Sequence, residues 1–346
     1  MTPKAVQSDK NKKMAETPAK LGERWMIPKL LFQCRGKFVA ANVETILAYH
    51  KWKRADLGSP KLSADEFDVR RGQGNLSSKK QGGDEPGWDF GDLHVCLFDS
   101  LDWSIPPKAQ VILLNWIGLV LEHLVNRRKI PIADLVFARH ILENTLCMKI
   151  RDARQRVMTQ ALQKVLFDPT SQVMLDFDNG FQCFDKMFYQ EGHPDSEENF
   201  YRGEYCFKKH FLGTRQIPAF YNEGEDMCAE VIDELPGVKY WLRNASNNQK
   251  GFRLPTSTGD FYPDFVVLLD DGRHLVVEFK RKEAIGYSRE DARHEKEIGK
   301  FWARQSKGKC LFLMLSIPTN VPDADRRNYI EQKIVKAIAP ARRKKL

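Results

Sequence analysis

The segment FYPDFVVLLDDGRHLVVEFK, residues 261–280, is the part of this chain that most constrains its fold. Two apolar runs flank Asp271-Gly272, a dipeptide typical of a tight turn between antiparallel strands. The valine and leucine runs indicate strands that are buried in a sheet. The pattern therefore predicts a β-hairpin whose first and last residues lie side by side.

The open end of this predicted hairpin carries three charged residues. Asp264 is near the start of the first strand, and counting outward from the turn places it within about one residue of opposite Glu278. Glu278 and Lys280 project to the same face because side chains alternate along a strand. Burying an unpaired acid here costs several kcal/mol. The pattern therefore indicates either a functional site or a structural Glu278–Lys280 salt bridge, and the salt bridge does not account for Asp264.

Two carboxylates and an ammonium at one sheet edge suit a hard divalent cation. Mg²⁺ prefers oxygen ligands and usually takes one or two carboxylates together with water and phosphate. Lys280 would then orient or activate a water molecule, or stabilise charge on phosphorus. The chemistry implied is metal-assisted hydrolysis of a phosphodiester.

Positive charge is concentrated after the predicted hairpin. Residues 280–346 contain 18 Lys+Arg and 8 Asp+Glu, a net charge of +10, so the rest of a chain with a total of +9 carries −1. A basic surface of this kind favours a polyanionic partner such as nucleic acid. A solvated basic helix and tail would give the same pattern.

Other classes of protein are disfavoured by composition. The most apolar run, residues 109–124, is shorter than the ~18 residues of a membrane span and contains Asn115 and Glu122, so we expect a buried core helix and no membrane association. The seven cysteines form no Cys-x-x-Cys pair, which argues against a zinc site or a disulfide framework. No secretory signal begins the sequence, and we expect a cytoplasmic protein.

Three regions are predicted along the chain: a disordered leader (1–23), a mixed α+β docking or bridging region (24–203) and a C-terminal domain (204–346) that folds alone. The middle region should contain a strand–turn–strand at Arg35-Gly36, helices over 106–167 and a hairpin turning at Asp178-Asn179-Gly180. The C-terminal domain has the element order αβββαβα.

Residues 222–317 resemble the PD-(D/E)XK nuclease superfamily, and the resemblance is closest to the C-terminal nuclease domain of type III restriction enzyme Res subunits. The matching elements are EGEDMCAE, VKYWLRN, FYPDF and VEFK. The resemblance implies an α/β fold with a restriction-endonuclease-like αβββαβ core. It also implies a Mg²⁺-dependent DNA endonuclease, with Mn²⁺ able to substitute, in a restriction or antiviral defence system.

The family's functional residues carry over onto matching positions. Asp264 and Glu278 correspond to the metal-binding carboxylates, with the Phe279 carbonyl as a third ligand, and Lys280 corresponds to the catalytic lysine. The acid on the first helix is Glu225, preferred over Asp226 because it precedes Ala229 by four residues. Predicted DNA contacts are Arg243, Asn244, Arg281, Lys282 and Lys296, the last with an ordinary surface lysine as an equal alternative.

One departure from the family concerns the ATP-driven motor. The chain lacks a phosphate-binding Gly-x-x-x-x-Gly-Lys-[Ser/Thr] loop, so we expect a separate ATPase, helicase or modification subunit to act with it on double-stranded DNA. Two alternatives stay open at this point: a catalytically silent DNA-binding or coupling module, and a nuclease for RNA or branched DNA.

Overall fold

The computed structural model describes residues 17–51, 57–68, 87–100, 107–185, 187, 200–220, 222–244, 251–280 and 289–339. The helices are α1 (Val43–His50), α2 (Phe90–Asp99), α3 (Pro107–Glu122), α4 (Ile132–Phe137), α5 (Arg139–Leu162), α6 (Glu223–Glu234), α7 (Arg289–Gln305) and α8 (Arg326–Ile338). The strands are β1 (Trp25–Cys34), β2 (Lys37–Ala40), β3 (Val173–Cys183), β4 (Val238–Arg243), β5 (Leu254–Pro255), β6 (Asp260–Phe261), β7 (Phe265–Leu269), β8 (His274–Phe279) and β9 (Cys310–Leu315). Short π-helical turns extend α3 and α5 over His123–Arg127 and Gln163–Phe167.

The chain divides into two compact units whose limits differ from the predicted boundary at 203–204. The first unit takes in the described residues within 1–31, 173–255 and 260–346, and the second those within 32–172 and 256–259. The strand β3 and most of β1 therefore belong with the C-terminal elements instead of with a separate docking region.

Hydrogen bonds from buried side chains explain why the N-terminal segment joins the first unit. The Trp302 indole donates to the Pro28 carbonyl at 2.9 Å, and His274 Nε2 lies 3.1 Å from the Met26 carbonyl oxygen. At the surface, the hydroxyl of the partly buried Tyr240 also donates to Glu23 at 2.6 Å. Buried donors need such partners, so residues 17–31 complete this unit. Residues 17–23, predicted as part of a disordered leader, are ordered there.

The predicted hairpin at Asp178-Asn179-Gly180 is wrong, because β3 runs through these residues as a single strand. Gly180 has a different reason to be a glycine. A Cβ atom built on it would lie 2.1 Å from the Ile27 carbonyl oxygen. The residue therefore permits a close approach between two backbones, which is the other common role of glycine in a strand.

The second unit is mainly helical and has its own apolar core. The predicted helix over 109–124 is confirmed as α3, with Trp116, Ile117 and Val120 fully buried. Leu142 and Leu146 of α5 belong to the same core. Among the described residues, no helix combines the length and apolar character that crossing a bilayer requires.

A four-stranded sheet, in the order β4-β7-β8-β9, is the centre of the first unit. The first three strands pair antiparallel, and β9 pairs parallel with β8. The predicted order αβββαβα is confirmed, with the two-residue strands β5 and β6 inserted before β7.

Helices cover both faces of this sheet. On one face, α6 and α8 share a core cluster with Phe279 and Leu315. On the other face α7 lies against Phe312, and a Cβ at Gly299 would meet that ring at 2.4 Å. A Cβ at Gly224 of α6 would likewise meet the Phe279 ring at 2.5 Å. The two glycines thus let α6 and α7 approach the sheet closely from opposite sides.

Candidate active site

The hairpin register brings Asp264 and Glu278 together, as predicted. Phe265 pairs with Val277, so the preceding Asp264 lies beside Glu278. The Asp264 backbone amide donates to Glu278 Oε2 at 3.2 Å, and the Phe279 amide donates to Asp264 Oδ2 at 2.7 Å. Each carboxylate is therefore held by the backbone of the opposite strand.

Lys280 is clamped between two carboxylates. Its Nζ lies 2.7 Å from Glu278 Oε1 and 2.7 Å from Glu295 Oε2. Glu295 comes from α7, and its side chain is only 9 % exposed. It was missed as a site residue, although the sequence contained a signal: Glu295 lies three residues before Ile298 and seven before Trp302, on the apolar stripe of an amphipathic helix.

Arg243 occupies the interior of the site and not a DNA-facing surface, so the prediction that it contacts DNA is wrong in this structure. Its side chain is 2 % exposed. One guanidinium nitrogen lies 2.6 Å from Glu225 Oε2, and the other lies 2.9 Å from Asp264 Oδ1 and 3.0 Å from the Asp264 carbonyl oxygen. The residue is two positions after the buried Trp241 on β4, which is why it points inward.

Asn244 is also buried, and the structure gives it an internal role in place of the predicted DNA contact. Its side-chain amide donates to the Phe252 carbonyl at 2.8 Å and to the Pro263 carbonyl at 2.9 Å, and its Oδ1 accepts from the Phe252 amide at 3.0 Å. These bonds position the chain just before Asp264.

The remaining predicted residues fall into two groups. Glu225, and not Asp226, contacts Arg243, and the Asn222 side chain that caps α6 accepts from the Glu225 amide at 3.0 Å. Lys296 is exposed on α7, next to the buried Glu295. Arg281 and Lys282 lie outside the described residues.

The site is a chain of charges that runs from one face of the sheet to the other. Glu225 approaches from α6 and Glu295 from α7, with Arg243, Asp264, Glu278 and Lys280 between them. Because Arg243 separates Glu225 from Asp264, three acids do not converge. Accordingly, the described part of the chain contains no group of three or more His, Cys, Asp or Glu side chains arranged to hold a metal ion.

The six residues of this charge chain include more acids than bases. It contains four acids and two bases, a net charge of −2 if all six are ionised. Burial, and then the neighbouring Asp264, raise the pKa of Glu278 well above its ordinary value. Burial also raises the pKa of Glu295. Burial alone would lower the pKa of Lys280, but Glu278 and Glu295 outweigh it and raise the pKa, so this ammonium stays protonated.

Comparisons with models of known protein families, with curated proteins and with solved structures find no match to this chain.

Proposed function

We propose that this protein is a Mg²⁺-dependent endonuclease that hydrolyses phosphodiester bonds in double-stranded DNA, as the cleavage component of a restriction or defence system that works with a separate ATPase. The observation that carries the proposal is the pairing of Asp264 with Glu278 in a charge chain of four acids and two bases. The element order around the hairpin, which resembles the PD-(D/E)XK core, adds to it.

The donor chemistry of the site fits Mg²⁺. Two carboxylates side by side are the protein share of a typical magnesium site, and water and substrate phosphate supply the remaining oxygen ligands. A raised pKa at Glu278 means that its negative charge is poorly compensated, and a divalent cation would compensate it. Asp264, Glu278 and the Phe279 carbonyl would hold the ion, which would supply Lewis-acid activation of a water molecule and of the phosphate.

The chain's own residues supply position and charge. Lys280 remains a cation, so it acts by stabilising negative charge at the phosphorus centre instead of removing a proton. Glu295 restrains the Lys280 ammonium from the α7 side. Arg243 and Glu225 hold Asp264 from the α6 side. These supports are the kind of surrounding shell that a precise catalytic site requires.

The test combines cleavage with metal binding, because cleavage alone could fail for want of the ATPase. Supercoiled plasmid is incubated with the full chain and Mg²⁺ or Mn²⁺, and the melting temperature is measured with and without each ion. We expect the parent to nick or linearise plasmid and to be stabilised by the ions. Asp264→Asn should lose both effects.

Asp270→Asn is the matched control, since Asp270 is exposed at the turn end of the same hairpin. It should keep both effects. Plasmid cleavage by Asp264→Asn at the parent rate would refute the active-site assignment.

A silent DNA-binding module is the second candidate, and one observation favours it. All four oxygens of Asp264 and Glu278 already contact a donor of the chain itself. In that case neither ion would raise the melting temperature, and DNA would bind without being cut under any condition.

A further inference from the structure

The outer face of α7 carries a row of basic side chains that the proposed catalytic chemistry does not use. Intervals of three or four residues place its members on one side of the helix and the following turn. The exposed positions described between 291 and 309 carry six basic side chains, counting Lys309 beyond the row, and one acidic side chain, Glu297, a net charge of +5. This basic row consists of the exposed residues Arg293, Lys296, Lys300, Arg304 and Lys307.

The opposite face of α7 is anchored, which fixes the direction of the basic row. Trp302 donates to the Pro28 carbonyl, and Gly299 lies against the Phe312 ring. Glu295 contacts Lys280 in the charge chain. The helix therefore cannot rotate about its axis, and the basic row points away from the sheet. Since Lys296 follows Glu295, the row begins at the end of the helix that reaches the candidate site.

Three members of the basic row differ from the arginines of α8 in their ion pairing. Among the described residues, Lys296, Lys300 and Arg304 form no ion pair. On α8, by contrast, Arg326 pairs with Asp323, and Arg327 pairs with two acids of α6. The two arginines of α8 are thus paired within the protein, whereas Lys296, Lys300 and Arg304 of α7 are exposed and unpaired.

We propose that the basic row is the surface along which double-stranded DNA lies, with its phosphate backbone following α7 toward Asp264 and Glu278; this inference rests on the proposed function. From Arg293 to Arg304 the helix rises about 16 Å at ~1.5 Å per residue. That length corresponds to roughly five base pairs at ~3.4 Å each. A row of lysines and arginines contacts phosphates without reading bases, so it positions the duplex and does not select a sequence.

The charge on the other side of the sheet favours the same approach. The α6 helix carries Asp226, Glu230 and Glu234, and burial followed by Glu230 raises the pKa of Asp226. Two of these acids, Glu230 and Glu234, share the single cation Arg327, so the helix keeps an excess of negative charge, which repels phosphate. The duplex therefore reaches the hairpin end from the α7 side of the sheet.

The experiment measures binding of the full chain to a 30-base-pair duplex by fluorescence anisotropy in EDTA, over a series of salt concentrations. Lys300→Gln/Arg304→Gln is compared with Lys333→Gln/Lys336→Gln, a control that removes two exposed lysines from α8. Both double variants should melt at the temperature of the parent. Two lost phosphate contacts should lower the slope of log affinity against log salt by about 1.8 and weaken binding roughly tenfold or more at 0.1 M salt.

The control should bind within about twofold of the parent. Equal losses in the two double variants would overturn the inference, because total charge and not the basic row would then govern binding. Parent-like binding by the α7 variant would overturn it too, as would a preference for RNA duplex or for phosphatidylserine vesicles over DNA. EDTA prevents metal-dependent cleavage, so this experiment measures binding alone. Loss of binding in the α7 variant but not in the control supports the proposed DNA surface. Failure of the chain to cut DNA with Mg²⁺ would refute only the proposed endonuclease.

Discussion

Replacing Arg243 with methionine is the change that should disturb this protein most directly. The guanidinium connects Glu225 to Asp264 and is enclosed, with the Phe265 and Phe220 ring centroids 5.3 Å and 5.7 Å from its central carbon. Methionine fills much of the same volume but carries no charge. The substitution leaves two carboxylates, with side chains 6 % and 15 % exposed, without their shared cation.

The expected cost follows from that burial. Removing one partner of a buried ion pair typically destabilises a protein by about 3–5 kcal/mol, because the other charge is left uncompensated. For a cooperative unit of 150–250 residues, this corresponds to a fall in melting temperature of roughly 6–20 °C. The net charge of the charge chain changes from −2 to −3, so Mg²⁺ should stabilise the variant by more than it stabilises the parent.

Urea unfolding at pH 7.5 in EDTA, followed by the same measurement with Mg²⁺, tests both statements. Lys239→Met is the matched control, since Lys239 is on the same strand but forms a 3.5 Å pair with Glu23 in which both side chains are more than 40 % exposed. It should cost less than about 1 kcal/mol. If Arg243→Met lost no more stability than Lys239→Met, the buried charge chain would not have the energetic role argued for it.

Three further predictions concern the first unit. Glu278→Gln should melt in EDTA no lower than the parent, because it removes a buried charge beside Asp264, and Mg²⁺ should no longer stabilise it. Burial lowers the pKa of His274 to about 4. As the pH drops from about 6.5 to about 4, this histidine binds a proton in the unfolded chain before it does so in the folded chain, so the free energy of unfolding should fall by on the order of 3 kcal/mol. His274→Gln should reduce this fall. The fragment 204–346 lacks β1 and β3 and should show no cooperative unfolding by near-ultraviolet circular dichroism.

Each of these has a result that would count against it. Strong destabilisation of Glu278→Gln in EDTA would mean that its salt bridge to Lys280 outweighs the repulsion from Asp264. An unchanged acid profile in His274→Gln would remove that histidine from the account of acid sensitivity. A cooperative transition of the fragment 204–346 at the parent's melting temperature would show that the N-terminal strands are dispensable, as the sequence had led us to expect.

Local patterns in the sequence were sufficient to predict the hairpin and the order of elements around it. The Asp271-Gly272 turn, the two apolar runs and the alternation of side chains all act over a few residues. They placed Asp264 beside Glu278, which the register of β7 and β8 confirms, and put Lys280 on the same face as Glu278, which their 2.7 Å ion pair confirms. The preference for Glu225 over Asp226 came from helical spacing, which is also local.

Local signals misled where a residue had two common roles. Asp178-Asn179-Gly180 is typical of a turn, yet Gly180 is required by the carbonyl of Ile27, which is more than 150 residues away in the sequence. Arg243 and Asn244 were expected to contact DNA, yet both are buried. Nothing within a few residues of them indicates that the ends of α6 and β7 enclose them.

The tertiary structure alone decided which groups complete the site and where the unit ends. Glu295 meets Lys280, and Arg243 joins Glu225 to Asp264, only because α6 and α7 pack on opposite faces of one sheet. Trp302 and His274 find their acceptors on an N-terminal strand almost 250 or more residues away. Burial is what creates these requirements: a charge or donor withdrawn from water must be satisfied by whichever segment the packing brings to it. The sequence indicates that a buried charge or donor needs a partner, whereas contacts between distant parts of the chain determine which residue that partner is.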